Sequence, residues 1–149
     1  MERKFKYHNE LIEVAKFREC PFPPENLRAP DFTEDVFRFV FEDHNHPHNY
    51  IPPFAITPSR ANNPNDRMKT DGYGISCFEK YDQAKTSYFN LSRSLKKFAS
   101  TAGNSLSKGF VDVNDGLVDE SEKNTHFNLY EFEGCDLSKK FTFIEKLIK

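Results

Sequence analysis

Tryptophan is absent from this 149-residue chain, so any aromatic core has to be built from its 16 phenylalanines and 6 tyrosines. Cysteine is scarce. Cys20, Cys77 and Cys135 are odd in number, far apart and without a CxxC pair, which excludes a zinc ribbon or a dithiol redox motif. Three unpaired thiols suit a reducing compartment. The opening residues Met1-Glu2-Arg3-Lys4-Phe5-Lys6 lack an apolar leader, and no apolar run reaches membrane-spanning length. The expectation is a cytoplasmic, soluble protein with no membrane partner. There is no basic excess either: the formal net charge is −2 with both signs interspersed, which argues against a dedicated nucleic-acid binder. Internal repeats and low-complexity tracts are missing as well.

What remains is a chain long enough for one ordinary domain spanning residues 1–149. Apolar residues make up 37% and charged residues 30%, so the core leans on rings that each remove a large area from water. Residues 5–19 predict an amphipathic helix with Leu11, Ile12, Val14, Ala15 and Phe17 on one side, stopped by Cys20-Pro21-Phe22-Pro23-Pro24. Val36-Phe37-Arg38-Phe39-Val40-Phe41 predicts a strand. Residues 42–72 read as a long irregular loop region, and a loop of that length in a compact domain is commonly functional. Tyr73–Phe78 predicts a second strand, residues 80–99 a helix leaving at Gly103, and Gly109–Val113 a third strand. Residues 117–125 read as an exposed acidic loop. Strands four and five fall at residues 126–133 and 141–144. Strands following one another late in the chain predict an α+β domain. Its sheet would be mixed and mostly antiparallel, with about five strands and two main helices.

The stretch His126-Phe127-Asn128-Leu129-Tyr130-Glu131-Phe132-Glu133 carries the clearest chemistry. Period-two alternation would put Glu131 and Glu133 on the face of Phe127 and Leu129. Two carboxylates continuing an apolar face are either a charged strand edge that discourages aggregation or the wall of a cleft. Arg38, inside an aromatic strand, needs a partner or a cleft of its own.

An early strand arginine (Phe37-Arg38-Phe39), a middle strand serine (Gly72-Tyr73-Gly74-Ile75-Ser76-Cys77-Phe78) and a late Glu131-Phe132-Glu133 come in the order used by the arginine–serine–glutamate class of ADP-ribosyltransferases. From about residue 36 to residue 144 the chain resembles that family. The resemblance implies NAD as cofactor-substrate, with Arg38 on a phosphate, Ser76 under the nicotinamide, Tyr81 (or Tyr88) packing on its ring, and Glu133 and Glu131 as catalytic carboxylates. Glu133 would stabilise the oxocarbenium-like state and Glu131 would face the acceptor. The departure is Cys77-Phe78, where the family continues with a hydroxyl residue.

Asp43-His44-Asn45-His46-Pro47-His48-Asn49 offers a rival. Three imidazoles within five residues suit a zinc ion, with His44, His46 and His48 as ligands and His126 as a remote addition; equally, they suit a polar loop. A third alternative is a non-enzymatic interaction module that binds a protein partner through its Phe-rich surface and the 42–72 loop.

Overall fold

The computed structural model describes residues 3–148. Its frame is one six-stranded open sheet in which every neighbouring pair is antiparallel, with helices packed on it. In chain order the elements are α1 (His8–Arg18), β1 (Val36–Val40), α2 (Pro53–Ile56), β2 (Ile75–Phe78), α3 (Tyr81–Ser94), α4 (Phe98–Ala102), β3 (Ser105–Gly109), β4 (Gly116–Val118), β5 (His126–Glu131) and β6 (Phe141–Lys146). The strands lie side by side as β4-β5-β2-β1-β3-β6. The α+β expectation therefore holds. The sheet has one strand more than expected, and no parallel pair.

Register assigns each side chain to a face, because directly paired residues point the same way. Pairing of Arg38 with Ser107, Ile75 with Leu129 and Cys77 with Phe127 puts these six on a first face. There Val36, Ile75, Cys77, Val118, Phe127, Leu129 and Phe141 form the main core with Leu137 and Val111. Pairing of Phe37 with Phe78 and of Ser76 with Asn128 defines the second face. One end of it is covered by α3, through Phe78, Ala84 and Leu106 with Phe37 and Phe39 against them. The other end is covered by α1 and α2, where Leu11, Val14, Phe54 and Tyr73 pack around Tyr130. Ser76, His126 and Asn128 form a polar seam between the two aromatic clusters.

The third strand lies earlier than expected, at Ser105–Gly109 rather than Gly109–Val113. Residues 110–112 leave the sheet and 113–115 form a turn instead, with the Asp115 carboxylate accepting the Asp112 amide at 2.8 Å. The strand lies inside the sheet between β1 and β6, and its serines are wholly buried, at 0% exposure for both Ser105 and Ser107. Their hydroxyls donate to Asn104 Oδ1 and to the Arg38 carbonyl. Gly109 closes it where β6 approaches: a Cβ there would stand 2.6 Å from the Lys140 carbonyl oxygen. The acidic loop expected over 117–125 also begins with a strand, β4, whose outer side is capped by an isolated bridge from Arg28 to Val118. Residues 42–72 are less irregular than expected. They hold α2, whose Phe54 is fully buried, and two 3-10 turns at Pro58–Asn62 and Thr70–Tyr73. The helix expected over 80–99 breaks in two, and Gly103, at φ +95°, ends the second piece.

Candidate functional site

On the first face, where β5 ends, three segments enclose a cavity of about 330 Å³. The loop over residues 44–51 forms one wall with His44, His46, Tyr50 and Ile51, the turn over 136–138 forms another, and Glu131 and Lys6 lie between them. The size is at the small end for a ligand pocket, suited to a single ring or an amino-acid-sized molecule.

The loop wall is held by Asn49, which is 3% exposed. Its Oδ1 accepts the Phe41 amide at 2.8 Å, and its Nδ2 donates to the Asp43 carbonyl at 3.0 Å. The side chain thus stands in for a ladder partner where β1 ends. Asp43 adds a local turn by accepting the Asn45 amide. His46 stacks on Phe41, with centroids 3.8 Å apart, and its Nδ1 accepts the His48 amide at 3.1 Å. One of its ring nitrogens is therefore committed to the backbone. Among the described residues no three His, Cys, Asp or Glu side chains come together as a group able to hold a metal ion. His44 and His46 border the cavity and His48 does not.

Lys6 reaches the cavity because the N-terminal segment runs beside the end of β5. Lys6 N donates to Glu131 O, Glu133 N donates to Lys4 O, both at 2.8 Å, and Phe5 bridges Phe132. Alternation along this short stretch sends Phe5 into the α1 cluster and Lys6 to the first face. Lys6 Nζ then donates to Glu131 Oε2 at 2.7 Å and to the Cys135 carbonyl at 2.6 Å. Glu131 is 4% exposed, and its other oxygen, Oε1, is buried without a hydrogen-bond partner. Burial pushes the Glu131 carboxyl above the usual carboxylate range, and the Lys6 ammonium pulls against it.

Arg38 lies beneath the same face, largely buried. Its Nε donates to the Asn49 carbonyl and its Nη1 to the Ser76 carbonyl, each at 2.8 Å. Two of its three nitrogens thus serve the main chain rather than standing free for a phosphate. Burial lowers its pKa. Burial also raises that of Tyr50, where hydrogen bonding with Ser107 opposes the shift.

The residues singled out in the sequence are therefore not gathered in one cleft. Glu131 and Arg38 share the first face. Glu133 does not join them as expected, since β5 stops at Glu131 and Glu133 is exposed beyond it, just before Gly134 at φ +88°. Ser76 is on the second face, its hydroxyl 2.6 Å from His126 Nε2. Tyr81 opens α3 and is 37% exposed, its hydroxyl bonded to Glu145. Tyr88 is buried and donates to the Gly103 carbonyl. Burial pushes the Cys77 and Cys135 thiols up to about 12, so neither ionises near neutral pH to act as a nucleophile. The Glu131 and histidine-loop alternatives turn out to be two walls of one cavity. Lys6, Tyr50, Asp136 and Ser138 complete it, and nothing local in the sequence marks them: Lys6 meets Glu131 across 125 positions. No family model matches the chain, and neither curated proteins nor solved structures give a match.

Proposed function

We propose that the protein binds a small polar molecule in the cavity between the histidine loop and the end of β5, against the Lys6–Glu131 pair. The observation that carries this is the convergence of the Lys6–Glu131 ion pair with Tyr50, Asp136 and Ser138 on one cavity. The lining mixes donors (Lys6, Asn45, Tyr50, Ser138) with acids (Glu131, Asp136) around the apolar Ile51 and Leu137. Such a wall suits a ring amide or a zwitterion better than a simple anion. A convergent polar cavity also favours a small ligand over a protein partner.

The ADP-ribosyltransferase reading required Arg38, Ser76 and Glu133 around one bound NAD. Opposite faces and the engaged Arg38 fork support a pocket centred on Glu131 instead. The test is thermal shift and calorimetric titration with nicotinamide, NAD, adenine and each free amino acid. At least one of the small probes is expected to bind, and Glu131→Ala, which removes the carboxylate and releases Lys6, to abolish that binding. Absence of binding at millimolar concentration for every probe would sink the proposal. Tight binding of NAD lost in Arg38→Ala would restore the transferase reading.

A further inference from the structure

The second face carries an arrangement that owes nothing to the cavity. Ser76 Oγ is 2.6 Å from His126 Nε2, and on the far side of the ring His126 Nδ1 is 3.4 Å from Glu122 Oε2. A hydroxyl, an imidazole and a carboxylate in line are the parts of an activated serine: nucleophile, base, and a group that holds the base in the right tautomer. The carboxylate favours a proton on Nδ1, which leaves the Nε2 lone pair for the serine proton. The 3.4 Å separation is loose, as such contacts often are before a substrate tightens them.

The fold fixes each part from a different direction. Ser76 projects from β2, which lies inside the sheet between β5 and β1. His126 starts β5, diagonally across from it, since Ser76 pairs with Asn128. Its ring leans on Phe78, with centroids 5.3 Å apart. Glu122 is brought round by a tight turn in which Glu122 N donates to the His126 carbonyl at 2.8 Å, Thr125 N donates to Glu122 O at 2.9 Å, and Thr125 takes a φ of +67°. The Asn124 side chain closes the turn by accepting the His126 amide at 3.1 Å. His126 keeps 22% of its side chain exposed and Glu122 66%, so the row of groups opens to solvent at the seam between the two aromatic clusters.

We propose that Ser76, His126 and Glu122 form a nucleophile–base pair with a positioning acid that acylates Ser76 from activated esters. Ser76 Oγ attacks the ester carbonyl carbon and passes its proton to His126 Nε2. Collapse of the tetrahedral species breaks the bond to the aryloxide, which leaves with that proton. Water then attacks the acyl-serine with His126 taking its proton, the carboxylic acid departs, and the serine is restored. Asn128, the side chain opposite Ser76, commits its amide to Asp119 at 2.9 Å and is not free to stabilise an oxyanion. That restricts the chemistry to substrates with good leaving groups, because the missing donor would otherwise supply much of the rate.

The experiment is labelling of the full chain with a fluorophosphonate probe, read by intact mass and peptide mapping, alongside p-nitrophenyl acetate turnover. The expected result is a single adduct on Ser76, absent in Ser76→Ala. His126→Phe keeps the packing on Phe78 and removes the base, and labelling should slow by about 100-fold or more. Glu122 is exposed, so Glu122→Gln leaves the fold intact; it should slow labelling and shift the pH profile of the reaction, which a merely structural residue would not do. The wild-type protein failing to react at millimolar probe, an adduct elsewhere, or equal rates in wild type and His126→Phe would each overturn the proposal. None of these outcomes bears on the Glu131 cavity.

Discussion

Arg38 donates to the main-chain carbonyl of Ser76 from one face of the sheet, while the Ser76 hydroxyl meets His126 on the other. The two residues touch, yet their functional groups never share a space. β1 and β2 have only Phe37 and Phe78 in register, and Arg38 ties the strands where the ladder lapses.

Removing that tie is the first prediction. Arg38→Met keeps the apolar stem but leaves the Asn49 and Ser76 carbonyls without their donors. Hydrogen bonds to a charged group contribute about 1.5–3 kcal/mol each, so a loss of about 3 kcal/mol in urea unfolding is expected. A loss below about 1 kcal/mol would mean that the fork is not structural and stands ready for a ligand.

Glu131 gives a pH signature. Its folded-state pKa lies above the ordinary 4.5 because burial outweighs the pull of Lys6. The folded protein therefore holds this proton more tightly than the unfolded chain, and between 4.5 and the raised value the contribution of Glu131 to stability falls as pH rises. Glu131→Gln lacks that dependence. The difference in unfolding free energy, variant minus wild type, should grow in favour of the variant from pH 4 to 8 in urea titrations. A difference that is flat or falling would show that Lys6 dominates after all.

How much of this was legible in the sequence follows from what each element needs. β1, β2, β5 and β6 announced themselves as aromatic or aliphatic runs, and α1 and α3 by apolar spacing. β3 did not, because two of its buried positions are serines satisfied by Arg38 and Asn104, which propensity reads as turn. The Phe110–Val113 run, which places the strand four residues too late, leaves Phe110 41% and Val113 58% exposed. Glu131 was legible as a carboxylate on an apolar face; Glu133 was misplaced because alternation cannot show where a strand ends. Lys6, Glu122 and the role of His126 depend on register and turn geometry, which no local pattern encodes.

The linked pair Arg60 and Asp66 tests the loop region. Arg60 Nε donates to Asp66 Oδ2 at 2.7 Å and Nη2 to Oδ1 at 3.2 Å, while the Met68 amide donates to Oδ1. The Arg60 guanidinium is the main reason the Asp66 carboxyl is held below its ordinary 3.8. A depressed folded pKa stabilises above the unfolded value and is lost as pH falls through the folded one. Asp66→Asn should therefore cost about 1–2 kcal/mol at neutral pH, with the gap to wild type closing below pH 3.8. An equal gap at pH 7 and pH 3 would assign the effect to packing.

Tyr88 and Gly103 make the last prediction, about the exit of α4. Tyr88 is fully buried, edge-on to Phe39 and Phe98 at 5.0 and 5.2 Å, and its hydroxyl donates to the Gly103 carbonyl at 2.7 Å. Tyr88→Phe keeps the rings and strands that carbonyl, for about 1–1.5 kcal/mol. Gly103 sits at φ +95°, and a Cβ there would lie 2.1 Å from the Val40 carbonyl oxygen, so Gly103→Ala must move β1 or the helix end. It should cost more, about 2–3 kcal/mol. The two changes act on one contact. Once alanine has displaced the Gly103 backbone, the tyrosine hydroxyl no longer has its acceptor in reach, and losing it costs little further. The double variant should therefore be less destabilised than the sum of the singles by about 1 kcal/mol, measured as a double-mutant cycle. Strict additivity would show that the hydroxyl follows the carbonyl as it moves, and that the helix exit is softer than the close approach of Gly103 to Val40 implies.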